Sequence, residues 1–430
     1  MIRDVLLLIA SVAALLGAIA GIRRAGTMLD WHAEVSRKAV HVAIGMYAIV
    51  LPLLFTDRWP VVTLILISLA LMAWLRTPAC RTTGLGATIH AVERSSYGDV
   101  WLALAIGFVF VRSEGVYILY ALPMAVITLS DAAAALTGTA YGRRRFAIED
   151  GVKSWEGVVA FFAVTMIIAM TMLLFFSQVP RTNVFVLALT VSAFAATVEA
   201  VSWRGLDNLF VPIGTHLFLA GWLDATPLSL LGLAATFFAS VAVIAFLVRR
   251  AGIGAHASRA MVIAAFVFLA AAGVYSAILP AAVLCAHLFA RRVRPCHSRH
   301  GELDVIATLA ATGLIWFFIG ETTGPSAINL YNLTIAGMLL GYLSFAMPMP
   351  GVKPWIAGAV LLAFTVMVSF GPTYGLWVEG LPIVAASSLA FVMTALYLSP
   401  GWYDRWRGPR LALVSSAVPL STYLVQAILP

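Results

Sequence analysis

Apolar runs follow one another along almost the whole chain, near positions 5–21, 39–55, 60–75, 99–111, 115–129, 157–177, 184–202, 209–223, 228–248, 260–276, 278–290, 304–320, 327–347, 354–370, 375–398 and 411–428. A helix that crosses a bilayer needs roughly 20 mostly apolar residues. Backbone at membrane depth must satisfy its own hydrogen bonds, so only helices or closed barrels qualify, and none of these runs alternates as barrel strands do. The expectation is an all-α, polytopic transmembrane helical bundle of about 14–16 helices. Composition agrees: 62% of the 430 residues are hydrophobic and 11% charged, against about 25% charged in soluble domains. The run at 5–21 is followed, not preceded, by most of its basic residues (Arg23, Arg24), which suits a first transmembrane helix better than a cleaved signal.

Charge sets the expected orientation. With the N-terminus outside and one crossing per run, only Arg3, Arg58, Arg112 and Arg181 face outward, leaving 23 of the 27 Lys and Arg on the other side. The positive-inside rule makes that side cytoplasmic. Loops 22–38, 76–98, 131–156 and 203–208 would then share it, in a multi-pass protein of the cell membrane. The net charge of +8 is accounted for by topology and calls for no nucleic-acid partner. Cys80, Cys285 and Cys296 make neither a disulfide framework nor a zinc pattern.

Four polar clusters fall on this one face. In "HAEVSRKAVHVAIG", 32–45, Glu34, Lys38, His41 and Gly45 are spaced i, i+4, i+7 and i+11 along one helical face. That spacing also suits a plain solvated helix end. In "ERSSYGDVW", Glu93, Arg94 and Asp99 precede a helix, where an acid suits the macrodipole. The third cluster runs through 130–162: Asp131, Ala135, Gly138 and Gly142 share a face, then Arg143, Arg144 and Arg145, then Lys153, Ser154, Glu156 and Gly157. Lys-Ser ahead of a helix sets a cation, a hydroxyl and backbone N–H groups together, which suits phosphate. The spacing is not that of a P-loop. In the fourth, 198–216, Glu199 lies inside its apolar run and Asp207-Asn208 occupy the following turn. Ionisable residues inside spans are costly and mark function by default.

Carboxylates beside a lysine, arginines and glycine turns suit a metal-bound polyphosphate. Mg2+ takes one or two carboxylates plus phosphate oxygens and water. Phosphoryl transfer needs charge neutralisation, in-line positioning and an acceptor for the attacking hydroxyl's proton. An acceptor substrate that reaches such a site from the bilayer is a lipid alcohol.

Asp131-x-x-Ala134-x-x-x-Gly138-x-x-x-Gly142 followed by Lys153-Ser154-x-Glu156-Gly157 resembles the dolichol kinase/phytol kinase family of membrane lipid kinases. Arg37-Lys38-x-x-His41-x-x-x-Gly45 upstream, and Glu199 with Leu206-Asp207-Asn208-x-x-x-Pro212 downstream, keep the family's order over roughly residues 25–250. Ser130 departs from it, since many relatives have Gly before the acid. The resemblance implies CTP or another nucleotide as donor, a divalent cation, and dolichol, phytol or diacylglycerol as acceptor. It implies that Asp131 and Asp207, assisted by Asn208, hold the metal. Lys153 and Arg143–Arg145 would bind the triphosphate, with Gly138, Gly142, Ser154, Glu156 and Gly157 around it and Lys38 and His41 at the border. Glu199 or Asp131 would take the hydroxyl proton.

Residues 251–430 repeat none of these motifs and are expected to form an appended helical unit joined through "RRAGIGAHASR", 249–259. Two other readings remain at this stage. Cytidylyl transfer to phosphatidate is one, although the Gly-His-Gly-Gly and Asp-Arg-x-Asp signatures are not found. A transporter is the other, although its site would sit near the midplane between repeats.

Overall fold

A computed structural model of the chain describes all residues except 1, 76–96, 149–150, 203–204, 299–300, 324–326, 348–380 and 429–430. Glu93, Arg94 and the apolar run 354–370 lie outside the described residues. Those described form 15 α-helices. Eight segments are long and apolar enough to cross a membrane among the described residues. The protein is an all-α polytopic bundle. The chain divides into two compact units, Met1–Phe238 and Ala239–Pro430.

Unit 1 contains α1 (Ile2–Met28), α2 (Ala33–Leu54), α3 (Arg58–Leu75), α4 (Gly98–Arg112), α5 (Tyr117–Ala125), a π-helical turn (Val126–Ser130), α6 (Asp131–Tyr141), α7 (Trp155–Phe176), α8 (Arg181–Val201) and α9 (Asp207–Trp222). Helix α10 (Pro227–Ala251) carries the division between units. The segments Tyr117–Tyr141 and Arg181–Val201 are mostly buried, whereas Ile2–Met28 is mostly exposed. The former pair is therefore the spine of the unit. Helices α7 and α9 pack on α8, α2 packs on α5 and α6, and α4 packs on α9.

Without a strong hydrophobic drive between helices in lipid, small residues and interhelical hydrogen bonds hold such a bundle. Both are present. A Cβ at Gly45 would fall 2.0 Å from Thr128 Oγ1, and one at Gly214 would fall 2.3 Å from the Phe194 ring. Only glycine allows α2 to approach the π turn, and α9 to approach α8, this closely. Tyr120, fully buried, donates to Ala48 O at 2.8 Å and ties α5 to α2.

Two local features were not expected from the sequence. The apolar run ending near Asp131 does not stop there: α5, the π turn and α6 form one span from Tyr117 to Tyr141. Asp131 consequently sits inside a helix rather than at its end. The second feature is a β-hairpin in which β1 (Arg145–Ile148) pairs antiparallel with β2 (Gly151–Ser154), Phe146 opposite Lys153. Trp155 N donates to Arg144 O at 3.0 Å and the Phe146 and Trp155 rings lie 5.1 Å apart, so the hairpin is closed at the start of α7.

Unit 2 contains α11 (Ala255–Val293), α12 (Gly301–Thr323), α13 (Ile328–Ala346), α14 (Leu381–Leu398), a 3-10 turn (Pro400–Asp404) and α15 (Arg407–Ile428). Helix α13 is almost wholly buried among α11, α14 and α15. Gly337 and Gly341 let it touch Ser415 and Leu411 of α15. The runs 260–276 and 278–290, expected as separate helices, belong to the single element α11. Straight, 39 residues would extend about 58 Å. Yet Ala257 near its start and His287 and Arg291 near its end line one cavity, so the element reverses direction between them. The division into two runs survives as a bend.

Candidate active site

Five segments deliver charged groups to one end of unit 1. The second and third turns of α2 bring Lys38 and His41. The first residue of α6, at its junction with the π turn, is Asp131. Lys153 comes from β2, Glu199 from the last turn of α8, and Asp207 and Asn208 from the first turn of α9.

The first pair is buried. Lys38 Nζ donates to Asp131 Oδ2 at 2.5 Å, with both side chains under a tenth exposed. His41 Nε2 lies 3.3 Å from the same oxygen and 3.2 Å from Ile127 O. The i, i+3 step from Lys38 to His41 places both on the face of α2 that meets the π turn. Ser130, the departure from the family pattern, accepts from Thr165 Oγ1 at 2.9 Å. Its hydroxyl joins the turn to α7 and leaves the chemistry of Asp131 untouched.

The second pair joins the hairpin to α8. Lys153 Nζ donates to Glu199 Oε1 at 2.7 Å and also to the Glu199 backbone oxygen. Burial alone would lower the Lys153 pKa, but the Glu199 and Asp207 carboxylates outweigh it and hold the ammonium above its ordinary value. Lys153 stays charged.

The third acid joins these two. Ligand oxygens of Asp131, Glu199 and Asp207 all lie within 4.8 Å of one another. Buried and without a hydrogen-bond partner are Glu199 Oε2, Asp207 Oδ1 and Asn208 Oδ1. Three carboxylates against two lysines leave the cluster an excess negative charge, and Glu199, Asp207 and the neighbouring Asn208 each keep one buried oxygen without a donor. This donor set, all oxygen and mostly carboxylate, fits a hard divalent cation such as Mg2+.

Asn208 does a second job. Its Nδ2 donates to Gly98 O at 3.0 Å, which draws the start of α4, the Tyr97-Gly98-Asp99 stretch, to the site. The motif pattern named Asn208 but gave no sign of this partner.

The remaining sequence candidates are placed around the hairpin. Ser154 Oγ accepts from Gly157 N at 3.1 Å and so caps α7. Glu156 accepts from Arg144 N at 3.1 Å and fixes the hairpin to that cap. A Cβ at Gly142 would lie 2.9 Å from Ser154 Cβ, and one at Gly157 2.9 Å from Ala134 O. Gly138 faces Ser154 Oγ from the other side. These glycines let α6, the cap and α7 pack so that Lys153 reaches Glu199. Arg143, Arg144 and Arg145 are exposed at the hairpin's base, outside the acidic centre.

Past Asp131, α6 continues for about 15 Å and becomes progressively exposed towards Tyr141. The starts of α2, α4, α7 and α9 all lie at this end, and each helix N-terminus favours an anion.

A curated phytol kinase from Synechocystis sp. is 32% identical over 195 residues, which cover 43% of this chain and 78% of the relative. The chain belongs to the phytol/dolichol kinase-like family. Membership makes it a lipid-alcohol kinase-like integral membrane protein. No protein-family profile and no solved structure matches the chain.

Proposed function

We propose that this kinase-like protein transfers the terminal phosphoryl group of a nucleoside triphosphate, CTP before others, to a long-chain alcohol such as phytol or a polyprenol. The observation that carries this reading is the cluster of Asp131, Glu199 and Asp207 with Lys38 and Lys153, in a chain similar to a phytol kinase. A triphosphate entering with a divalent cation supplies what the cluster lacks, a positive centre for the carboxylates and an anion for the lysines. The preference for CTP rests on the family resemblance alone, since arginines read phosphate and not base.

Each residue then has a defined task. Asp131 and Asp207, with Asn208 Oδ1, would hold the cation, which when bound neutralises charge on the phosphates. Lys153, released from Glu199, and the exposed Arg143–Arg145 run would bind the triphosphate, with Lys38 and His41 bordering it. Glu199 Oε2, buried and without a donor, is placed to accept the proton of the attacking hydroxyl. The alcohol oxygen forms a bond to the terminal phosphorus as the bond to the leaving nucleoside diphosphate breaks. The proton passes from Glu199 to solvent.

The face is assigned by charge. Residues 29–32, 142–148, 151–154 and 205–206 lie at the end of unit 1 that holds the site, and the positive-inside rule would put that end in the cytoplasm. The nucleotide pool is on that side.

In proteoliposomes supplied with Mg2+, phytol or a polyprenol, and CTP or ATP, the expected product is a lipid monophosphate, formed fastest from CTP. Failure to phosphorylate any lipid alcohol with any donor would withdraw the proposal in favour of transport.

A further inference from the structure

Unit 2 holds a cavity of about 470 Å3 lined by Gly254, Ala257, His287, Arg291, Arg292, Pro295, Cys296, Gly301, Glu302 and Leu303. Its volume is that of a small-molecule site. Its chemistry is unlike that of the kinase-like centre. Among the described residues the only group of three side chains that could hold a metal is the one in unit 1, and here the charged lining is mainly basic.

His287 is the main observation. It is 4% exposed, lines the cavity, and has no hydrogen-bond partner on either ring nitrogen. A buried imidazole with both nitrogens unsatisfied is costly in an empty site. Its ring sits edge-on to Tyr342, 5.4 Å between centroids, and the fully buried Tyr342 hydroxyl also has no partner.

Around His287 the charge is positive. Arg291 is paired with Glu302, so Glu302 does not oppose an anion with a full charge. Arg292, one residue on, is exposed on the cavity wall. Behind the wall Arg407 is 2% exposed and donates to the carbonyls of Tyr403, Arg294 and Pro295. Those carbonyls satisfy its hydrogens but do not cancel its charge. Gly301, Glu302 and Leu303 add the first turn of α12, whose N–H groups are not used within the helix. Glu302 and Asp304 are the acids of that turn.

We propose that this cavity is a second, phosphate-recognising site, which takes a phosphate group through His287, Arg292 and the amides that open α12. The ligand is either free phosphate or a phosphate carried on a lipid. A cation is disfavoured by Arg292 and the buried Arg407, and a neutral apolar group would leave both His287 nitrogens unsatisfied.

The test is binding of dodecyl phosphate and of inorganic phosphate to the full-length protein in zwitterionic nanodiscs, with and without added phosphatidate. Three proteins are compared: the wild type, Arg292→Gln and the balanced pair Arg291→Gln/Glu302→Gln. Arg292 is exposed at the end of α11, and the pair removes both partners of one ion pair, so neither change threatens folding. One class of dodecyl phosphate sites is expected to weaken by about tenfold or more in Arg292→Gln, the loss of one charge-assisted hydrogen bond. Lipid-kinase turnover is expected to stay at the wild-type level. Competition by inorganic phosphate at matched concentration would identify free phosphate as the ligand. Competition by phosphatidate alone would identify a lipid-borne phosphate. Isotherms of both variants that superimpose on the wild type, or no binding of any phosphate probe, would overturn the proposal.

Discussion

Asp131→Asn is expected to lower lipid phosphorylation by a hundredfold to a thousandfold, about the cost of removing one preorganised charged group from a reaction centre. It is also expected to destabilise the protein. Lys38 is 5% exposed and its ammonium meets Asp131 at 2.5 Å, so neutralising the acid leaves a buried cation without its anion, at a cost of about 3–5 kcal/mol. Lost activity alone would therefore be ambiguous. The double variant Lys38→Gln/Asp131→Asn separates the two effects, because it removes both charges. Thermal unfolding in detergent is expected to return towards the wild-type midpoint, with turnover still absent. A stable double variant that phosphorylates at the wild-type rate would make Asp131 a structural residue.

The second large effect concerns the cation. Asp207 Oδ1 and Glu199 Oε2 are buried without donors, in a cluster of three carboxylates within 4.8 Å. Without a cation these charges repel. Asp207→Asn is therefore expected to be the more stable protein in EDTA, by about 1 kcal/mol or about 2–4 °C in the unfolding midpoint. With Mg2+ at a hundred times its dissociation constant the wild type gains about 2.7 kcal/mol, and the variant gains far less. The order of stabilities should invert between EDTA and Mg2+. The same midpoint change on adding Mg2+ to both proteins would show that Asp207 holds no metal. This readout needs no substrate.

Much of the bundle was legible because apolar length reports helices directly, and in lipid that signal has few competitors. The acids and lysines were legible for a related reason: ionisable groups in apolar surroundings are costly, so Asp131 and Glu199 stood out. The local geometry was not. The hairpin at 145–154 has four-residue strands, too short for any period, and is fixed by Glu156, Trp155 and its register. The π turn before Asp131 arises where α2 meets it through Gly45 and Thr128, a tertiary contact with no sequence signature. Ser154 and Glu156, expected around the nucleotide, also form a helix cap and a hairpin clasp, partners that motif spacing does not specify. Asn208 was expected beside the metal, but its bond to Gly98 depends on where α4 begins, which sequence spacing does not specify. The reversal within α11 was missed for the same reason.

On the proposed reaction, a terminal phosphoryl group moves from a nucleotide to a lipid alcohol at the Asp131–Glu199–Asp207 cluster. The most direct measurement follows the label from CTP carrying it on the γ or the α phosphate, in proteoliposomes of the wild type and of the Lys38→Gln/Asp131→Asn variant. The expected result is that γ-label alone enters the lipid, as a monophosphate, with CDP released, and that the variant transfers none. Entry of α-label with release of pyrophosphate, or γ-transfer at equal rates in both proteins, would contradict it.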